Sequence, residues 1–498
     1  MCGILGITSN QTVAQELYDG LIVLQHRGQD SAGIMTYDGR FHLKKGNGLV
    51  RDVFHVNNMA RLTGNMGIGH VRYPTAGGYD ASEAQPFFVN SPFGIALIHN
   101  GNLTNYDELK EEVAQKNIRY LNTTSDSEIL LNVLANEILD LRRKTLDANA
   151  IFKAMSNVYK RIKGSYAVIA IIAGIGMVAF RDPYGIRPLV YGKRSSSLLP
   201  EYMFSSESVA LNTLGYDDEI KDIQPGQVIF VDNQKKLHSK QVVKKRWSPC
   251  IFEQVYLARP DSFIDDVSVY KARLRMGEAL AKQIKRSKIE IDAVIPVPDS
   301  ARPSAMALAQ QLGVNYREGL VKNRYVGRTF IMPGQEIRKK SIKYKLNAIP
   351  LELRRRKILL VDDSIVRGNT SRKIVEMVRD AGAEKVYFAS CAPPLIQPCP
   401  YGVDMPSKKD FVANGLSIKE IAKFIGVDKL FYQKPDDLIA AAKFGNPEVT
   451  DFCYACMGGK YPTKDITDEK LKSFENARCC SQIEDNEPED IVEDQMSI

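Results

Sequence analysis

An α/β fold with a parallel sheet is what the second half of this 498-residue chain predicts. The first observation is a short apolar run, Ile358-Leu359-Leu360-Val361, that ends on Asp362-Asp363. It passes through a loop with one glycine and several hydroxyls and enters an apolar-periodic segment from Arg372 through Ile374, Val375 and Val378 to Gly382. That is a buried strand, a loop and a helix. The second observation is that the alternation repeats. A helix-period segment runs through Met276, Leu280 and Ile284, Asp292 to Ser300 is a strand ending in a turn, Ala305 to Leu312 is helical, and Lys385 to Ser390 is a further strand. The third is length, which at roughly 100 to 200 residues per domain leaves room for two or three domains. A composition shift over residues 233–249 places the boundary near Trp247.

Composition narrows the class of function. A net charge of +8 is modest for this length and gives no reason to expect nucleic acid as a partner. The basic runs Lys244-Lys245-Arg246 and Arg354-Arg355-Arg356-Lys357 read as solvated faces. No cationic, apolar signal segment begins the sequence, so a cytoplasmic protein is expected. The most apolar stretch, Tyr166 to Phe180, is shorter than the roughly 20 residues of a spanning helix and is interrupted by Gly174 and Gly176; it reads as two buried strands joined by a turn, and no membrane partner is expected. Eight cysteines in such a chain are candidates for catalysis or metal binding rather than a disulfide framework. Residues 480–498 are acidic, lack aromatics, and are expected to be a disordered tail.

Taken in order, the chain opens with Cys2 immediately before the strand-like Gly3-Ile4-Leu5-Gly6-Ile7. An initiator methionine before so small a residue is normally removed, which would give Cys2 both a thiol and a free α-amine. An amine with a pKa of roughly 7.7 to 8.0 is partly neutral near pH 7 and can serve as base for its own thiol. A small buried residue that happens to come early is the bland alternative. Four segments follow: Leu24 to Gly33 (L-Q-H-R-G-Q-D-S-A-G), His70 to Gly77 (H-V-R-Y-P-T-A-G), His99 to Leu103 (H-N-G-N-L) and Thr123 to Glu128 (T-T-S-D-S-E). Ser125-x-x-Glu128 ahead of Ile129, Leu130 and Leu131 also reads as a helix capping box. His26, His70 and His99 lack ligand spacing and read as structural.

Together with M-C-G-I these segments resemble the glutaminase domain of the N-terminal nucleophile amidotransferases (class II), from Cys2 to about Lys236 and including Arg181-Asp182-Pro183-Tyr184-Gly185-Ile186-Arg187-Pro188. The resemblance implies an αββα sandwich over residues 2–240. It makes Cys2 the nucleophile, gives the glutamine α-carboxylate to Arg72 and its α-amino group to Asp126, and builds the oxyanion hole from Asn100 and the Gly101 N–H. Each assignment suits the chemistry, since a guanidinium forks onto a carboxylate and preorganised donors stabilise a tetrahedral oxyanion.

In the second half, a loop beyond the carboxyl end of a parallel strand that enters a helix offers N–H groups to a phosphate. Val361 to Ser371 (V-D-D-S-I-V-R-G-N-T-S) resembles the phosphoribosyl pyrophosphate loop of type I phosphoribosyltransferases and does not match the nucleoside-triphosphatase pattern. By that resemblance Asp362 and Asp363 contact ribose hydroxyls, and Ser364, Arg367, Gly368, Asn369 and Thr370 surround the 5-phosphate. Mg²⁺, a hard oxygen-seeking ion, would sit at Ser300, Asp362 and Asp363. Lys322 to Gln335, with Lys322, Tyr325 and Arg328, is a cation-rich, Gly- and Pro-containing segment that reads as a solvated loop by itself and as a lid once a pyrophosphate site lies nearby.

The two halves together resemble the amidophosphoribosyltransferase family, with F-x-x-V-Y-x-A-R-P-D-S (Phe252 to Ser262) and K-N-R-Y-V-G-R-T-F-I (Lys322 to Ile331) in support. The implied partners are glutamine and phosphoribosyl pyrophosphate as substrates and purine nucleotides as feedback inhibitors, in a homo-oligomer (dimer or tetramer). Cys453-x-x-Cys456 alone serves zinc, redox disulfides and clusters alike. In the iron–sulfur branch of the family one cysteine precedes the F-E-x-V-Y segment, one lies in P-C-x-Y-G and two form a late C-x-x-C. Cys250, Cys399, Cys453 and Cys456 stand in those contexts, within a second domain expected over residues 250–460, and the resemblance favours a [4Fe–4S] cluster where chemistry alone leaves Zn²⁺ open. Cys391, Cys479 and Cys480 fall outside the pattern. Two other classes of protein remain conceivable on sequence: a regulator that binds phosphoribosyl pyrophosphate without chemistry, which has no use for Cys2, Arg72 and Asp126, and a sugar-phosphate amidotransferase, which lacks the V-D-D-S loop.

Overall fold

A computed structural model describes residues 1–73, 81–196, 198–323, 346–405 and 407–475. The N-terminal half is two antiparallel sheets packed face to face. Among the described residues the first has the order Glu219–Asp222, Val190–Arg194, Glu201–Ser205, Gly3–Thr8, Met66–Arg72, Ser31–Tyr37, Phe41–Asn47. The second runs Leu237–Gln241, Gln227–Asp232, Gly176–Arg181, Gly164–Ile172, Ile95–Leu103, Phe87–Val89. Alternate residues of the inner strands (Ile4, Met35, Ile68 from one sheet; Ile98, Ile169, Ile171, Ala179 from the other) interlock into a dry layer. Helices Ala14–Val23 and Ser208–Leu214 cover the outside of the first sheet, and Asp126–Leu139 with Ala148–Arg161 the outside of the second. This is the expected αββα sandwich. Tyr166 to Phe180 forms the two expected buried strands, paired antiparallel with Ile172 opposite Gly176.

The second half holds a parallel sheet with the order Asn315–Tyr316, Ala293–Pro296, Lys357–Asp362, Lys385–Ser390, Lys429–Tyr432. Its strands are near-continuous apolar runs because both faces are covered: Val294, Leu359 and Ala389 pack against Leu280, Ala305 and Leu308 on one side, while Ile295, Leu360 and Phe388 meet Ile374, Val378 and Ile421 on the other. Helix Val269–Arg286 buries Met276, Leu280 and Ile284 as its spacing requires. Two elements past Ser390 were not legible in the sequence, the strand Lys429–Tyr432 and the helix Pro435–Lys443. The strand is only four residues long, below the length at which periodicity separates strand from loop.

The halves meet through buried charge. Arg181 donates two hydrogen bonds to Asp265, at 2.6 and 2.9 Å, and Arg27 bridges Glu207 and Glu253. The linker is stitched to the C-terminal region by backbone bonds from Ile251 N–H to Cys453 O and from Cys453 N–H to Pro249 O.

Candidate active site

Cys2 lies at the start of the central strand Gly3–Thr8, buried, with its thiol 3.6 Å from Tyr73 O. Its backbone N–H donates to Asn100 Oδ1 at 3.3 Å. Asn100 is held in the strand Ile95–Leu103 opposite Ala167, and with its Oδ1 so engaged, its Nδ2 is left buried with no protein acceptor. A buried N–H donor without a partner is costly, so Asn100 is an amide poised for an acceptor that arrives from outside. Gly101, at φ +149°, follows on the same strand; a Cβ there would lie 2.0 Å from Ser165 O and 2.9 Å from His99 Nε2, so only glycine fits.

Arg72 ends the strand Met66–Arg72, with Nη2 4.0 Å from Glu83 Oε2. Asp126 opens the helix Asp126–Leu139; its Oδ2 accepts the Leu103 N–H at 2.9 Å and its Oδ1 accepts from Ser127 Oγ at 3.3 Å. Burial works to raise its pKa, but His99 and these donors outweigh burial and hold the carboxylate below its usual range. Asp126 therefore stays charged in a nearly dry setting. The expected capping box is not formed. Ser125 Oγ accepts from Ser127 N–H, while Glu128 turns back to accept from the N–H groups of Asn122 and Thr123. Glu128 thus ties down the loop before the helix, where two free N–H groups outnumber the one at Ser125. His26 and His99 bond Glu207 and Ser127, and among the described residues no set of three or more His, Cys, Asp or Glu is spaced for one metal ion.

At the carboxyl edge of the parallel sheet, Ala293–Pro296 and Lys357–Asp362 are neighbours in register, Pro296 beside Val361. That brings Ser300 against Asp363, to which its hydroxyl donates, while Ser364 Oγ donates to the other oxygen of Asp363 at 2.6 Å. Burial, and for Asp362 the adjacent charge of Asp363, raises the pKa of both acids. Two acids that resist joint ionisation form a site that a hard cation would stabilise, so Ser300, Asp362 and Asp363 fit Mg²⁺ as a donor set.

The helix expected from Arg372 begins three residues earlier, at Asn369, because Gly368 (φ +75°) turns the chain at its N-cap. Asn369 and Thr370 are exposed there, at the start of Asn369–Asp380, whose first-turn N–H groups have no acceptor within the helix. Arg367 pairs with Asp410 at 3.6 Å on the surface, and Lys322 lies 3.3 Å from Asp299 beside Ser300. Tyr325 and Arg328 lie outside the described residues, as do Cys479, Cys480 and the tail 480–498.

Cys250, Cys399, Cys453 and Cys456, from three distant segments, line one small cavity with Arg187, Phe252, Tyr401, Val403, Met405, Ala455 and Tyr461. Burial pushes the Cys250 thiol up to about 11 and those of Cys453 and Cys456 well above the usual range. Burial thus disfavours bare thiolates at Cys250, Cys453 and Cys456. The side chains as they stand are not spaced around one metal ion, but four cysteines lining one cavity with one guanidinium in its wall fit an anionic cluster as a donor set. Cys391 is elsewhere, buried near Asp362 and Asp363.

The first site adjoins the second half of the chain. Asn102 Nδ2 donates to Pro400 O at 2.9 Å, Ser165 Oγ donates to Tyr401 O at 2.7 Å, and a Cβ on Gly402 would come within 2.7 Å of Gly101 O.

Two family models match: a glutamine amidotransferase domain over residues 75–213 and a phosphoribosyl transferase domain over residues 266–404. The chain is 52% identical over 482 residues to an amidophosphoribosyltransferase of Pseudomonas aeruginosa and 53% identical over 484 residues to one of Escherichia coli, covering 96% of this chain and of the relative in both cases. The solved glutamine phosphoribosylpyrophosphate amidotransferase of B. subtilis, complexed with ADP and GMP, superposes with a TM-score of 0.82 at 34% identity, covering 94% of this chain and 98% of that one. Both domain types in one chain, and near full-length likeness to enzymes that combine them, lead to one conclusion: the chain belongs to the amidophosphoribosyltransferases, which transfer ammonia from glutamine to C1 of 5-phosphoribosyl 1-pyrophosphate, giving 5-phosphoribosylamine, glutamate and pyrophosphate in the first committed step of purine synthesis.

Proposed function

We propose that the chemistry is divided between the halves as follows. Arg72 and Asp126 hold the carboxylate and ammonium of glutamine, and the Cys2 thiolate attacks the side-chain amide. Asn100 Nδ2 and the Gly101 N–H donate to the oxyanion, and collapse releases ammonia and leaves a thioester on Cys2 that water hydrolyses to glutamate. The unpartnered Asn100 Nδ2 supports this reading. Burial, reinforced by Arg187 and Arg27, lowers the α-amine of Met1 to about 6, so the pocket at this end of the chain favours a neutral amine, the form that accepts a proton. An α-amine on Cys2, once Met1 is gone, would serve as the base.

In the second half Asp362 and Asp363 hold the ribose hydroxyls, and the loop Ser364 to Thr370, with Arg367, Gly368 and Asn369, holds the 5-phosphate at the N-terminus of Asn369–Asp380. Mg²⁺ at Ser300, Asp362 and Asp363 would offset charge on the departing pyrophosphate. Lys322, Tyr325 and Arg328 close over the site to exclude water. The four cysteines hold a [4Fe–4S] cluster that fixes the linker to the C-terminal region. Purine nucleotides act as inhibitors, as the ADP and GMP of the B. subtilis relative suggest, in a homo-oligomer. Among the described residues no helix is long and apolar enough to cross a membrane.

The observation that carries the coupling of the two reactions is the contact of Gly402 and Pro400 with the strand bearing Asn100 and Gly101. Ammonia in neutral water is mostly protonated and not nucleophilic, so a short internal path between the sites matters. The test is Cys2→Ala. It should abolish glutamine-dependent product formation and leave synthesis from added ammonia largely intact, and equal loss of both would refute the division.

A further inference from the structure

Arg187 is fully buried, and its position is set by the turn before it. The Asp182 carboxylate accepts the N–H groups of Tyr184, Ile186 and Arg187 at 2.9, 3.1 and 3.2 Å, and Arg181 Nε donates to Arg187 O at 2.6 Å. This nest aims the side chain across the domain boundary into the cysteine-lined cavity, of which Arg187 is the only charged lining residue among the described residues. Nη1 approaches Glu253 Oε1 at 3.3 Å and Met1 Sδ at 2.8 Å. Nε and Nη2 are buried and have no acceptor. Glu253 leaves Arg187 incompletely matched, because its other oxygen is held at 2.7 Å by Arg27, which also pairs with Glu207.

A buried guanidinium with two idle donors is costly unless an acceptor belongs there. Four thiolates around a cubane core carry net negative charge and present sulfur acceptors. We propose that Arg187 is the counter-charge of this cluster, with Nε and Nη2 donating to cluster sulfur, and that it positions the cluster against the N-terminal half. This rests on the reading that the four cysteines hold a [4Fe–4S] cluster. The same guanidinium begins a chain of buried ion pairs, Arg187 to Glu253 to Arg27 to Glu207, that runs from the cavity and ends on the exposed His26 in the turn following the helix Ala14–Val23. It is a positioning residue, since it touches neither substrate.

The test uses anaerobically purified full-length protein with Arg187 intact, Arg187→Met and Arg187→Lys. Iron, sulfide, loss of visible absorbance in air, and resonance Raman Fe–S bands in H₂O and D₂O are measured. Arg187→Met should decay in air at least about fivefold faster or carry less than half the iron, and should lose the deuterium-sensitive Fe–S shifts that N–H···S bonds give. Arg187→Lys, which keeps the charge and loses the fork, should load iron and fall between the two in decay rate, which keeps the test decisive if Arg187→Met folds poorly. Wild-type loading, decay and deuterium shifts in both variants would overturn the role of Arg187 alone. Absence of iron and sulfide from the unmodified protein would overturn the cluster reading itself.

Discussion

Asp362 and Asp363 show how function sets the chemistry of single residues against stability. A carboxyl whose pKa is raised in the folded state binds more protons folded than unfolded, so its effect on stability turns unfavourable as pH rises from about 3.9 through the raised range. At neutral pH without ligand the pair therefore weakens the fold. Asp362→Asn should raise the melting temperature of the ligand-free protein at pH 7 by about 2–4 °C, corresponding to roughly 1 kcal/mol, and abolish the transferase reaction while glutamine hydrolysis continues. A melting temperature that falls at pH 7 but not at pH 4 would count against this account. Binding of phosphoribosyl pyrophosphate should also weaken as pH drops and the pair takes up a proton. The types and order of these residues were readable in the sequence. The idle Nδ2 of Asn100 was not, because it depends on which atom of the amide the Cys2 N–H occupies.

At the scale of elements, glycines decide two close approaches. Gly368 turns the chain into the phosphate-loop helix, with Phe424 Cε1 2.9 Å from where a Cβ would sit, and Gly402, at φ +87°, lies against Gly101. Gly402→Ala should push the halves apart at the oxyanion strand. Expected is glutamate formed in excess of pyrophosphate, with ammonia-dependent synthesis within about twofold of the unmodified enzyme; an unchanged one-to-one ratio would separate this contact from coupling. The proposed lid makes a parallel prediction. Tyr325→Ala and Arg328→Ala should each raise the glutamate-to-pyrophosphate ratio, and unchanged stoichiometry in both would remove the lid from the mechanism. Capping illustrates what local sequence fixes. Ser417 and Glu420 form a capping box before Ile418–Ile425, whereas the same pattern at Ser125 and Glu128 does not close, because Thr123 and Asn122 compete for the glutamate.

Across the whole molecule, the cysteine-lined cavity draws on the linker, the segment after the parallel sheet and the C-terminal C-x-x-C, and its wall includes an arginine of the N-terminal half. Anaerobically purified protein should be brown, hold about four iron and four sulfide per chain, and lose activity in air; stoichiometric zinc without sulfide would exclude the cluster and leave the transferase assignment standing. What the sequence determined by itself is the set of short-range patterns: the strand, loop and helix around Asp362, the repeated alternation of a parallel sheet, Cys2 ahead of its strand, and the motifs that name the family. Those depend on residues a few positions apart, where periodicity and turn chemistry act. Only the tertiary structure decided which charges are buried and with whom. Nothing near Arg27, Arg181, Arg187, Glu207, Glu253 and Asp265 in sequence pairs them; folding removes their water and leaves each with a distant partner, 84 positions away for Arg181 and Asp265. Such pairings follow from how the two domains dock, and no local pattern encodes them.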